Sequence, residues 1–239
     1  AIDEFKQALL LDPISPHAYR ELAQTYEKKG LLPEAEATFR KSIDLHPNYW
    51  AAHNALGAFY YRRGQYPKAE GCFLRVIDLT PDNYASYRNL GGLYSLMARY
   101  AEATAMLLKS LDIRPTPQAY SNLGIIDFFQ GRYADAAGRF EKAVTMRAFD
   151  PTLWGNLADA RRRTPDQADK AAEAYRRAVE LTERDLLVDA QNAEARASLA
   201  LYYLGLGQKE KALKEIGLAN ELAPENVNVL FRSSLVYEQ

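Results

Sequence analysis

Apolar residues recur along this chain with a helical period, and the helices themselves recur with a longer one. Between Ala18 and Lys29 the apolar positions Tyr19, Leu22, Ala23 and Tyr26 fall at i, i+3, i+4 and i+7, one face of an α-helix. Gly30 closes that stretch, where a helix commonly ends on a left-handed residue. Pro33 opens the next helix, where its missing N–H costs nothing, and His46-Pro47 stops that helix near Leu45. The same order returns at Gly64 and Pro67, at Gly131 and at Gly207. No alternating run rich in Val, Ile and Thr predicts a strand.

The longer period is visible in Leu22, Leu56, Leu90, Leu123 and Leu157, spaced 33 or 34 residues apart. Small residues follow them at Ala23, Gly57, Gly91, Gly124 and Ala158, and Tyr26, Tyr60 and Tyr94 keep step. Alanines recur at Ala35, Ala69, Ala103, Ala136, Ala171 and Ala212, each followed four residues on by Phe39, Phe73, Leu107, Phe140, Tyr175 and Ile216. Prolines close units at Pro13, Pro47, Pro81, Pro115 and Pro224. A period of this length predicts a solenoid in which each unit buries its core against its neighbours. The expected organisation is one array over residues 1–239. Full helix pairs occupy 16–49, 50–83, 84–116, 117–150, 151–192 and 193–226, with half pairs at 1–15 and 227–239, about fourteen helices in all. The half units read as a segment of a longer protein.

The pattern breaks in informative places. Asp127 and Arg161 stand where the recurring tyrosine belongs, and Pro165 stands where a turn glycine belongs, with one extra residue before Ala171. Ala171 to Ala212 spans 41 residues, seven more than the period, which is close to two helical turns. The helix around Ala168–Val188 is therefore expected to be lengthened, with Leu186, Leu187 and Val188 projecting beyond the regular stack.

These residues resemble the tetratricopeptide repeat, whose ladder of an aromatic, Leu-Gly, Tyr, Ala, Phe, Ala and Pro is best matched from Trp50 to Asn83. The resemblance covers nearly the whole chain. It implies an all-α, right-handed superhelix of stacked antiparallel helix pairs that binds protein or peptide along its concave face. The stretch from Trp154-Gly155-Asn156-Leu157 to Ala197-Ser198-Leu199-Ala200 is also similar to repeat arrays of bacterial signalling proteins, namely Ser/Thr kinases, nucleotide cyclases and winged-helix regulators. A regulatory arm of such an enzyme is thus one alternative role, although no kinase motif occurs here.

Composition narrows the function classes. Thirty Lys and Arg against 31 Asp and Glu leave a net charge of −1, so no global basic field recruits nucleic acid or anionic lipid. No apolar run of about 18 residues predicts a membrane span. Cys72 is alone, which excludes an internal disulfide and fits a reducing, cytoplasmic compartment. It reads as a buried small hydrophobe. His17, His46 and His53 are scattered, so neither a metal site nor a cofactor is expected. No phosphate loop or Ser/His/Asp spacing suggests an enzyme.

The resemblance places the first helix of each pair on the inner wall. There the residue before the recurring leucine reads Glu21, Ala55, Asn89, Asn122, Asn156 and Ser198. A carboxamide offers an acceptor and two donors, so Asn89, Asn122 and Asn156 could hold both C=O and N–H of an extended peptide, with the alternative that they bond neighbouring helices. Asn54, Tyr61, Arg62 and Arg88 flank the row with polar and basic groups, and Ser121, Ile125 and Phe128 make its most apolar section. Phe128 and Phe129 cannot both face one way. The expected ligand carries an acidic flank and a hydrophobic anchor. Self-association through the uncapped end helices is the alternative from another class.

Overall fold

The structure is a computed structural model that describes residues 2–238. All the regular structure among the described residues is helical. The chain divides into two compact units, Ala1–Pro115 and Thr116–Gln239. The first holds α1 (Ile2–Leu11), α2 (Pro16–Lys28), α3 (Leu32–Leu45), α4 (Trp50–Arg62), α5 (Tyr66–Leu79), α6 (Tyr84–Leu96) and α7 (Tyr100–Ile113). The second holds α8 (Pro117–Phe129), α9 (Tyr133–Met146), α10 (Pro151–Arg162), α11 (Ala168–Val188), α12 (Ala193–Gly205), α13 (Lys209–Leu222) and α14 (Val227–Tyr237). No helix is long and apolar enough to cross a membrane.

Two kinds of helix start alternate. Most first helices of a pair are capped by a side chain. Ser15 accepts from the Ala18 N–H, Asn83 from Ala85, Thr116 from Ala119, Asp150 from Thr152 and Leu153, and Asn192 from Ala195. Each bond satisfies an amide that the helix leaves unpaired. The second helices lack such caps, because a tight turn delivers the chain to them. Gly30 adopts φ +75°, its N–H bonds the Glu27 carbonyl, and the Leu31 N–H bonds the Tyr26 carbonyl. That 5→2 and 6→1 pattern ends a helix on a left-handed residue. In the third pair of the periodic array the left-handed residue is Ala98, at φ 57°, with the Arg99 N–H on the Tyr94 carbonyl. In the 151–192 segment Asp166 takes φ 57° after Thr164 and Pro165 lengthen the turn.

Packing within a pair depends on small residues at the crossing. A Cβ on Gly57 would lie 2.7 Å from the Phe73 ring, so only glycine allows α4 and α5 this close. Ala35, Ala69, Ala103, Ala136 and Ala212 are fully buried, and the large side chains four residues later fill the core. Between successive pairs the recurring tyrosine adds a polar tie. Tyr60 donates to Glu36 and Tyr94 to Glu70, both at 2.8 Å, and Tyr203 donates to Glu183. Where the tyrosine is missing, charge replaces it. Arg161 reaches Glu141 at 2.8 Å, while Asp127 turns to Arg132 and Arg139 of its own pair.

α11 is 21 residues long against 14 for α9 and α13. Leu187 and Val188 are exposed, as their position past the regular length suggests. Leu186 differs from the expectation. It packs back onto the core that Leu199, Tyr203 and Ile216 build. Its place one turn after the buried Thr182 keeps it on the inward face. Cys72 is half-buried rather than fully enclosed.

Ala98→Gly is expected to stabilise the chain by about 0.5–1 kcal/mol, the relieved left-handed strain less the greater unfolded-state entropy of glycine. Ala105→Gly, at an exposed position inside α7, should cost about 1 kcal/mol. Equilibrium denaturation of both variants measures the pair, and equal destabilisation by both would contradict the strain at Ala98.

Candidate functional site

Among the described residues, the exposed face of the first helices carries one row of hydrogen-bonded polar side chains that joins predicted site residues. In the first unit, Asn89 Nδ2 on α6 donates to Asn54 Oδ1 on α4 at 3.1 Å, and Arg88 Nη2 donates to Asn89 Oδ1 at 3.1 Å. Asn54, Arg88 and Asn89 are all half-buried. Each carboxamide oxygen has a partner inside the protein. What the row turns outward is mainly donors: both N–H bonds of Asn54, one of Asn89 and the rest of the Arg88 guanidinium.

Beside this row lies a groove of about 610 Å³ between α2 and α4. Its floor is Ala51, Ala55 and Ala58, and Trp50, 40% exposed, stands at one end. Arg20, Lys28 and Arg62 bring positive charge to it and Glu27 negative charge. Arg62 does not face the groove as a free cation. Its guanidinium grips Glu27 with two bonds of 2.8 and 2.7 Å, and Arg63 stands 3.5 Å from the same carboxylate. Arg20 is likewise forked onto Glu21 and donates to the Tyr49 hydroxyl. Partly exposed pairs of this kind contribute about 0–1 kcal/mol each. Their larger effect is positional, because they hold two arginines along the helix surface. Lys28 has no carboxylate within ion-pair distance among the described residues.

Tyr61 and Phe128 are not open groove residues. Tyr61 packs against Tyr66 across the turn at 6.4 Å between ring centroids, and burial raises its hydroxyl pKa. Phe128 repeats this with Tyr133 at 5.2 Å, and the Arg163 guanidinium covers its ring. Both residues sit five positions before the first residue or so of the next helix, so they staple the turn. Ile125 also packs against the core that includes Phe140 and Leu157. The exposed ring of the neighbouring pair is Phe129, 72% exposed. The apolar floor that sequence reasoning sought at Ile125 and Phe128 is therefore supplied in the first unit by alanines, whose small size gives no hydrophobic signal of a pocket.

In the second unit Ser121 and Asn122 line a cleft of about 270 Å³ with Gln118, Arg147, Asp150 and Thr152. Asn122 and Asn156 are half-buried, and neither side chain takes part in a hydrogen bond among those found in the described residues. The fold uses its acid on this face differently. Asp159 on α10 accepts from the hydroxyl of Tyr175, which reaches it from α11. Partial desolvation raises the Asp159 pKa above the ordinary aspartate range, against the hydrogen bond and the nearby Arg162 and Arg163; the side chain keeps 47% of its surface in solvent, which damps the effect. Tyr175 occupies a position that is Phe or an aliphatic residue in every other pair, and a hydroxyl in a core position calls for such a partner. That substitution is the sequence signal for the pair.

Sequence models of the tetratricopeptide repeat match residues 49–116, residues 1–49 and 121–185, and residues 193–226. No curated protein matches the chain. Among solved structures, the fold is similar to one in the APC/C hetero-tetramer Cut9–Hcn1, with TM-score 0.74 and 17% identity. That likeness covers 97% of this chain and 44% of the other, so the chain spans less than half of that relative's length. A tetratricopeptide repeat protein from Parabacteroides merdae gives TM-score 0.71 at 17% identity, over 99% and 91% of the two chains. YrrB, described as a TPR protein with an unusual peptide-binding site, gives 0.53 at 17% over 82% and 97%.

Because the Asp159 pKa is raised in the fold, its ionised form opposes folding. The stability this group contributes is complete below the ordinary aspartate pKa and is lost as pH rises through the raised value. Asp159→Asn, which keeps an acceptor for Tyr175, should therefore melt higher than the parent at neutral pH, with the gap closing as pH falls toward about 4. A gap that widens on acidification would reverse this account.

Proposed function

The chain belongs to the tetratricopeptide repeat family, and on that premise we propose that it is a non-catalytic scaffold binding an extended segment of a partner protein on its first-helix face. The groove between α2 and α4, with the adjoining Asn54–Asn89–Arg88 row, is the binding surface in residues 2–115. The observation that carries the reading is the polarity of that row. Its carboxamide oxygens are engaged within the protein, so it meets a ligand with N–H donors. Such a surface selects acceptors: main-chain carbonyls and, where the charge of Arg88 and Lys28 counts, side-chain carboxylates. The row thus offers a peptide unit more donors than acceptors. An aliphatic or aromatic ligand side chain fits over Ala55 and Ala58 beside Trp50, and its burial would contribute about 1.5–3 kcal/mol.

The likeness to YrrB, a TPR protein with an unusual peptide-binding site, supports a peptide-binding use of such a fold. Asn122 and Asn156, whose carboxamides make no hydrogen bond among those found in the described residues, are proposed to contact a ligand in the same way on the first helices of the second unit, with Ser121 beside them.

A parallel peptide selection tests the reading, using the parent and an Asn54→Ala/Asn89→Ala variant. Removing both carboxamides together orphans neither of them and leaves only the part-exposed Arg88 Nη2 to turn to water, so the fold should be little affected. The parent should enrich extended acidic peptides, and the variant should bind them about tenfold or more weakly, a loss of about 1.4 kcal/mol. Enrichment of the same peptides with equal affinity by both proteins would remove the row from the binding site.

A further inference from the structure

A second groove of about 630 Å³ lies between the second helices α3 and α5, floored by residues of α4. It shares no lining residue with the groove between α2 and α4. Three size reductions coincide here. His53 stands where other pairs carry Tyr19, Tyr87, Tyr120 or Trp154. Cys72 stands where the next pair has Met106, and Gly71 where it has Ala105. A Cβ on Gly71 would meet nothing within 4 Å, so the space above α5 is open.

The chemistry of the groove is amphipathic. Ile43, Leu56 and Cys72 give it an apolar floor. Burial raises the Cys72 thiol pKa to about 11, so the sulfur there is neutral. Arg40 is already matched by Glu36 at 2.8 Å. The α5 wall carries Lys68 and Arg75. The Lys68 ammonium lies over the Tyr60 ring, and Arg75 donates to the Asn48 carboxamide. Neither has a carboxylate within ion-pair distance among the described residues. They are seven residues apart, hence on one helix face and about 10 Å apart along it. Asp44 on the α3 wall is the sole carboxylate in the lining.

We propose that this groove docks an acidic amphipathic helix of a partner protein. Two carboxylates at i and i+7 of such a helix match the spacing of Lys68 and Arg75. Aliphatic residues at i+3 and i+4 lie between them on the same face and reach Ile43, Leu56 and Cys72. An extended strand does not fit this arrangement, since residues three apart, the count that spans about 10 Å, point to opposite sides. Asp44 on the facing wall repels carboxylates and so fixes which edge of the helix turns to α5.

Cys72 is the sole cysteine in the chain and reports occupancy directly. The probe is a side-chain-constrained helical peptide of about twelve residues, roughly three turns, with Glu at i and i+7 and Leu at i+3 and i+4. Its control replaces both Glu with Gln. The Glu peptide is expected to bind the full chain, by fluorescence anisotropy, and to slow alkylation of Cys72 by N-ethylmaleimide, with the Gln peptide about tenfold weaker. Lys68→Glu/Arg75→Glu should weaken the Glu peptide by about tenfold or more. Gly71→Leu puts a side chain into the open space at an exposed helical position. It should fold at least as well as the parent and lose binding. Equal binding of the Glu and Gln peptides, no protection of Cys72 at saturating peptide, or full affinity in Gly71→Leu would each overturn the proposal. The selection on the α2–α4 groove is independent of all these results.

Discussion

Everything in this protein depends on how closely the two helices of a pair can approach. Gly57 has no room for a Cβ against Phe73, and Ala35, Ala69, Ala103, Ala136 and Ala212 keep the second helices equally slim where they cross. Close crossing lets Phe39, Phe73, Leu107, Phe140, Tyr175 and Ile216 fill the space between pairs, so the recurring apolar positions of both helices are buried inside each stack. The remaining faces have no core to serve. They are where polar chemistry can vary from repeat to repeat without cost to the fold.

That freedom explains why the candidate surfaces are assembled from exceptions. The groove between α2 and α4 is open because its floor is alanine. The groove between α3 and α5 is open because histidine, cysteine and glycine coincide. In the second unit the same logic runs the other way, with Tyr175 in place of phenylalanine placing a hydroxyl against Asp159. The recurring tyrosines and their glutamates work between these extremes. Tyr60 with Glu36 and Tyr94 with Glu70 tie successive pairs at the edge of the core, and burial with the neighbouring carboxylate raises the Tyr94 hydroxyl pKa to about 12.

Charged residues on the first-helix face behave less simply than their number suggests. Arg62 looks in the sequence like a cation available to a ligand, yet Glu27 holds it, as Glu21 holds Arg20. Lys28 and Arg88 have no carboxylate within ion-pair distance among the described residues, and the carboxamides beside Arg88 are polarised toward donation. The balance of a surface is therefore decided by which acids lie within reach of which bases, not by the count of each.

The periodic spacing of leucine, alanine, aromatic and proline determined by itself that the chain is all-α, that it is a tetratricopeptide array, and that α11 has two additional turns. These features follow from local geometry, in which a residue's place on a 3.6-residue turn decides its burial. Tertiary structure alone decided the rest. It turned Leu186 inward where the repeat count suggested projection, made staples of Tyr61 and Phe128, and joined Asn54 to Asn89 across 35 residues of sequence. It also set Ala98 in a conformation that glycine holds elsewhere. Such outcomes depend on what a neighbouring helix presents at a distance of a few ångströms, and that information is not carried by the period of any single helix.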